Sequence, residues 1–134
     1  MTIEEALYSY LKGYAGLAAL VSTRIYPLIL PQDSTFPAVT YQRISGPRIH
    51  TMGNDPGLAY PRFQVSCWGK TYASAKAVAA QVIAALQNQR NTTWGGTGGV
   101  MVQASILESD RDLYEPDTQV YHVPVDVTIW FIEG

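Results

Sequence analysis

Apolar residues recur along this chain at two spacings, every three or four positions in some stretches and every second position in others. Thr2 and Glu5 form a capping box, after which Ile3, Ala6, Leu7, Tyr10, Leu11 and Tyr14 share one helical stripe. Gly13 and Gly16 loosen that stripe, so the pattern predicts a helix over about residues 3–12. Leu17 to Val21 adds one or two helical turns. Arg24-Ile25-Tyr26 precedes Pro27 and Pro31, which favour an extended path, and the stretch reads as a linker or an edge strand.

Ala38 to Ser45 is rich in strand formers and stops at Gly46-Pro47. In Leu58 to Trp68, Phe63, Val65 and Cys67 fall on one face and Arg62, Gln64 and Ser66 on the other. These predict two antiparallel strands joined by a connection, Gly46 to Gly57, that is full of turn formers and longer than a tight hairpin needs. Tyr72 to Asn88 carries Ala75, Val78, Ala79, Val82, Ile83 and Leu86 at helical spacing, the clearest element in the chain. Its outer face is Ala73, Lys76, Ala77, Ala80, Gln81, Ala84 and Gln87, with Lys76 the one charge.

Asn91 to Gly99 reads as a flexible glycine-rich turn. A third strand follows, with Val100, Val102, Ala104 and Ile106 on one face and Met101, Gln103, Ser105 and Leu107 on the other. Glu108 to Thr118 is polar and turns the chain. Gln119 to Ile132 forms the last strand, its apolar side made of Tyr121, Val123, Val125, Val127, Ile129 and Phe131. At about 3.3 Å per residue it would run over roughly 40 Å, so a bend near Pro124 is expected. Pro61 and Pro124 lack an amide donor and should sit at an edge or a bulge. The expected fold is α+β. It has a mainly antiparallel sheet of about four strands, with one long helix and a shorter N-terminal helical region packed on it, in a single domain over residues 1–134.

Composition sharpens this picture in one respect. Charged residues make up 15% of the 134 residues, below the ordinary quarter, so part of the surface must be covered by uncharged groups. That deficit hints at a partner. The net charge of -2 argues against a dedicated nucleic-acid binder, which rests on a basic patch. Up to Lys70 the chain has six basic and four acidic residues, and afterwards three and seven, so the sign runs from +2 to -4. The start lacks the basic region and apolar core of a signal peptide, and no run reaches about eighteen apolar residues; a cytoplasmic protein is expected.

Candidate chemistry is sparse. Gly95-Gly96-Thr97-Gly98-Gly99 has no Lys after it and leads into a strand, so a hairpin turn is favoured over a phosphate cradle. Asp110, Asp112, Glu115 and Asp117 lack the glycine and closing glutamate of a calcium loop, and Pro116 interrupts them; a solvated acidic turn is favoured. Cys67 has no second thiol, and His50 and His122 stand at no paired metal spacing. Serines such as Ser45 and Ser66 carry no nucleophile-elbow sequence. Arg48, His50, Met52, Asn54 and Asp55 mix charge, polarity and one flexible apolar side chain, as either a surface loop or a contact arm would. Trp68 and Trp130 share the polar faces of their strands, packed under the first helix or forming an interface patch.

Several segments, taken in order, resemble a known family. They are Ile3-Glu4-Glu5-Ala6-Leu7, Gly16-Leu17-Ala18-Ala19-Leu20-Val21 and Arg24-Ile25-Tyr26-Pro27, then the run from Pro37 through Tyr41-Gln42-Arg43 to Gly46, Arg62-Phe63-Gln64-Val65, and the helix entry Tyr72 to Ala75. The chain resembles the small tail-completion proteins of long-tailed phages and prophages, also called tail terminators or head-tail joining proteins. That resemblance implies a structural, non-catalytic subunit with no cofactor or metal. It implies assembly as a ring, typically of six, that caps the tail tube, stops its polymerisation and meets the head connector. The implied partners are further copies of itself, the tail tube protein and a head-closure or connector protein, with DNA passing through without specific binding and no membrane involved. Such a protein would sit in the host bacterial cytoplasm during assembly and then at the tail-head junction of the virion. A ring needs two different patches that meet head to tail. Lys76, Ala77, Ala80, Ala84, Trp68 and Trp130 are the expected subunit contacts, and Arg48, His50, Met52, Asn54 and Asp55 the expected tube contacts. The alternatives are a head-side neck protein, and a small intracellular ligand-binding or enzymatic α+β domain with a pocket between the Ala-rich helix and the sheet.

Overall fold

The computed structural model of the protein describes residues 2–32, 35–46 and 57–132. Its elements in chain order are α1 (Ile3–Gly13), α2 (Ala15–Val21), β1 (Ile25–Pro27), β2 (Ala38–Ser45), β3 (Leu58–Ala59), β4 (Arg62–Gly69), α3 (Tyr72–Leu86), β5 (Arg90–Trp94), β6 (Val100–Asp110), β7 (Leu113–Glu115) and β8 (Val120–Ile132).

The capping box forms: Thr2 Oγ1 accepts from the Glu5 amide at 3.2 Å, and Glu5 Oε1 accepts from the Thr2 amide at 3.1 Å. Ile3, Ala6, Leu7 and Leu11 are the buried stripe of α1. At α3, Thr71 Oγ1 accepts from the Ser74 amide at 3.1 Å. Just before it, a side chain at Gly69 would place its Cβ 2.7 Å from the backbone nitrogen of Ala75, so only glycine lets the helix start this close to β4.

The strands form one sheet in the order β1-β2-β4-β8-β6-β5, with β3 and β7 pairing with the two ends of β8. The β1–β2 pairing is parallel and the other pairings are antiparallel. All of α3 lies along β4, β8 and β6, α2 packs on α3, and α1 reaches β5. The core therefore lies between the helices and one face of the sheet. On that face Phe63, Val65, Val127 and Ile129 meet Val78, Val82 and Leu86 of α3, with none of the seven exposed to solvent. Burying each such side chain contributes about 1.5–3 kcal/mol.

Among the described residues, eight strands stand where about four were expected. The four expected ones are β2, β4, β6 and β8, and Arg24 to Tyr26 yields the short edge strand β1. Leu58 to Trp68 splits into β3 and β4 around Tyr60-Pro61, where Pro61 offers its carbonyl to the Ile129 amide at 3.0 Å. The expected glycine turn is shorter, because Arg90–Trp94 pairs with β6 and the turn is confined to Gly95–Gly99. Its positive φ values, 95° at Gly95, 70° at Gly96 and 76° at Gly98, explain the glycines. Leu113–Glu115 likewise pairs with β8 inside the stretch read as a polar turn.

The face assignment of β6 is corrected as well. Val100 and Val102 point inward as expected, but the pairing with β8 slips between Val102 and Ala104. Beyond that bulge the alternation inverts, so Ser105 is buried and Ile106 is 44% exposed. The Ser105 hydroxyl donates to the Leu86 carbonyl at the end of α3 and accepts from the Gln89 amide at 3.2 Å. It satisfies backbone groups that the helix end leaves open.

Pro124 corrects another expectation. It sits in β8, a central strand, with its register to Ser66 of β4 uninterrupted. Its carbonyl accepts from the Arg111 amide at 3.3 Å, so the side of the residue that lacks an N–H faces the break where β6 ends at Asp110 and β7 begins at Leu113. No ladder donor is missed there.

Candidate functional site

Alternation along the strands sends Thr40, Gln64, Ser66, Trp68, His122, Asp126, Thr128 and Trp130 to the face opposite the helices. The two tryptophans thus do not pack under α1. Each stacks on an aromatic neighbour instead. Trp68 lies 3.9 Å from the His122 ring at 6° between planes, and its Nε1 donates to Thr40 Oγ1 at 3.0 Å. Trp130 lies 4.4 Å from the Tyr60 ring at 13°. Between these pairs runs a polar strip centred on Asp126, which accepts from Arg62 at 2.9 Å, Gln64 at 3.3 Å and Ser109 at 3.3 Å. Thr128 Oγ1 donates to Glu108 at 2.8 Å beside it. At the Trp68 end, Leu30, Phe36, Lys70, Glu115 and Thr118 line a cavity of about 860 Å³.

His122 shows how this face differs from a reactive centre. Neither ring nitrogen has a hydrogen-bond partner among the described residues. Burial, with the charge of Arg111 second, pushes its pKa down to about 4. Glu115 Oε1 approaches Nδ1 at 3.9 Å, but a neutral ring makes no ion pair at pH 7. Burial likewise pushes the Cys67 thiol well up, leaving it protonated and unreactive. Among the described residues no three His, Cys, Asp or Glu side chains gather to hold a metal, and Asp112 of the acidic stretch is engaged by the Tyr72 hydroxyl at 2.7 Å and Lys76 Nζ at 3.1 Å.

The second candidate surface is the outer side of α3. Ala73, Ala77, Ala80, Ala84 and Gln87 are exposed, while Lys76 and Gln81 are half-buried. Tyr72 and Lys76 at its start join Leu113, Tyr114 and Tyr121 in an aromatic corner, with Tyr72 and Tyr114 both about half exposed. The middle of the space between α3 and the sheet, where an alternative reading put a pocket, is filled by Val78, Val82, Ala85 and Leu86, and open hollows of about 150 Å³ and 170 Å³ lie at its margins beside Ile83 and Tyr72. Arg48, His50, Met52, Asn54 and Asp55 lie outside the described residues.

Sequence reasoning missed His122 and Tyr60 as stacking partners, because cross-strand register decides them. It also missed the aromatic corner, whose members come from α3, β7 and β8. Among the described residues no helix is long and apolar enough to cross a membrane.

The described residues thus form a helix-backed sheet with one helix-free face and a helix flank whose one charge is Lys76. Residues 5–132 match the family model described as Tail completion protein gp17, and the chain belongs to that family. The family is one of structural phage tail proteins and not of enzymes. Among solved structures, a chain of the "Virion of native gene transfer agent (GTA) particle" matches with a TM-score of 0.79 at 19% identity, covering 97% of this chain and 94% of that one. That likeness establishes the shared fold. No curated protein matches by sequence.

Proposed function

We propose that this phage tail protein assembles as a ring, of six subunits in the expected form, that caps the tail tube, ends its polymerisation and joins it to the head connector. Membership of the tail completion family over nearly the whole chain carries this reading. The surface supports it. A ring subunit needs contact areas of different character, and this chain offers an uncharged helix flank around Ala77, Ala80 and Ala84 and an aromatic-bearing sheet face around Trp68 and Trp130. The segment that holds Arg48, His50, Met52, Asn54 and Asp55 is the proposed contact to the tube. Assembly takes place in the host cytoplasm, and DNA crosses the ring without specific contacts.

Negative-stain imaging of the protein mixed with purified tail tubes tests this directly. Rings at one tube end are the expected result, and tubes with bare ends would reject it. Capture of portal or head-closure protein without tube binding would instead assign the protein to the head side of the neck. Deleting Arg48 to Asp55 should preserve the fold and abolish joining.

A further inference from the structure

We propose that Leu28 and Ile29 form a knob that seats in the socket lined by Tyr72, Leu113, Tyr114 and Tyr121 of a second copy of this chain. The contact rests on the ring reading above and names its two halves.

The knob is an oddity for a folded chain. Leu28 is 65% exposed and Ile29 77%, the two most exposed large apolar residues described, and they are adjacent. They are held in place by backbone bonds. The Leu28 amide donates to the Tyr41 carbonyl at 2.9 Å, and the Ile29 amide to the Pro27 carbonyl at 2.8 Å. Leu28 adopts a φ of 64°, a left-handed conformation that a branched residue takes only when its surroundings enforce it. Two hydrogen bonds and a strained residue thus present two apolar side chains to solvent.

The socket has the complementary shape. Tyr114 and Tyr72 pack against the Tyr121 ring at 4.9 Å and 5.8 Å, and beside them opens a surface hollow of about 170 Å³ that Asp112 also lines. A cavity of roughly 150 Å³ accepts a benzene-sized group, so a branched aliphatic side chain fits. Asp112 fixes the wall through the Tyr72 hydroxyl and the Lys76 ammonium. Tyr72, Leu113 and Tyr114 are each more than 40% exposed.

Position and charge choose the occupant. The knob lies on the β1 edge and the socket on the β7 edge, separated across β2, β4 and β8 by about 19 Å at some 4.8 Å per strand. Within one subunit neither patch covers the other, since Leu28, Ile29, Tyr72 and Tyr114 are each about half exposed or more. Around the socket, Glu108, Asp110, Asp112, Glu115 and Asp117 outnumber Lys76 and Arg111, leaving a local charge of -3. On the knob side, Arg24 donates to the carbonyls of Leu20 and Pro37, neutral partners that leave its charge in place. A second copy arriving knob-first therefore brings apolar surface to apolar surface and positive to negative charge.

The native cysteine assists the test, because Cys67 is fully buried and gives no background cross-link. Oxidation of assembled Ile29→Cys/Leu113→Cys protein should yield a ladder of disulfide-linked oligomers, and each single-cysteine variant should stay monomeric on a denaturing gel. Disulfide dimers from either single variant would show a like-to-like contact and overturn the proposal. Rings without a ladder would overturn it and leave the ring reading intact, whereas a ladder without rings would do the reverse. Ile29→Asp and Tyr114→Asp should each weaken self-association at least thirty-fold or so, the loss expected of an interface anchor. Mixed together, they should form a one-to-one dimer and nothing larger in sedimentation. Wild-type assembly by either charge variant alone would also overturn the contact.

Discussion

The two faces of the sheet solve different problems with the same strands. Toward the helices, Phe63, Val65, Val125, Val127 and Ile129 are almost wholly buried in one apolar cluster. Away from them, Trp68 and Trp130 are half-buried on His122 and Tyr60, with the Asp126 strip between. The first face supplies the apolar burial that drives folding. The second keeps large side chains rigid without removing them from solvent, which lowers the ordering cost when a partner covers them. An assembly subunit has to fold alone and still hold surface in reserve, and here one sheet divides those tasks between its sides.

The sharpest way to break this comparison is to truncate the covered face. Phe63→Ala should cost about 3–5 kcal/mol, because the helices above leave a cavity that cannot fully collapse. Urea denaturation checks it, and a loss below about 1 kcal/mol would mean the covered face is no better packed than the open one.

Acid should act on the other side through His122. Its folded pKa of about 4 lies below the ordinary 6.5, so above pH 6.5 it has no effect. As the pH falls from 6.5 toward 4 the unfolded chain takes up the proton first and stability declines, by up to about 3 kcal/mol. His122→Phe retains a ring against Trp68 and should be free of that decline. Glu5 and Asp112, both held low by hydrogen bonds, lose their own contributions in acid, but equally in both proteins. Parallel pH profiles for the two proteins would count against it.

Trp68→Ala removes one stacking contact and one hydrogen bond to Thr40 from a half-exposed site, and should cost about 2 kcal/mol, clearly less than Phe63→Ala. The thermal midpoints of the two variants give the comparison. Smallest in the monomer is Ala80→Glu on the exposed flank of α3, expected within about 0.5 kcal/mol of wild type. Its effect should appear in assembly, as loss of rings in sedimentation, and unaltered oligomers would remove the flank from the interface.

Much of the architecture was readable from residue order. The Thr2–Glu5 box, the α1 stripe, the α3 stripe and the Phe63-Val65-Cys67 alternation all form as the spacing predicts. β5 was hidden because Arg90-Asn91-Thr92-Thr93 is polar and runs into glycines; its one strong signal was Trp94, buried and stacked on Tyr10 at 4.5 Å. Ile106 and Ser105 exchanged faces because a bulge two residues earlier shifts the count, and no local pattern records a bulge. The candidate surfaces divide the same way. The uncharged flank of α3 was legible because a helix has a fixed period, whereas the aromatic corner required three separate elements to converge.

By itself, then, the sequence determined the caps, the periods and the inward faces of α1, α3, β4 and β8, since these depend on residues within a turn or a strand of one another. Tertiary structure alone decided where strands slip, which side of the sheet the tryptophans take, and how Pro124 is accommodated in a central strand. Those outcomes depend on hydrogen bonds between residues far apart in the chain, such as the one across 64 positions from Arg62 to Asp126, and on which face the helices cover.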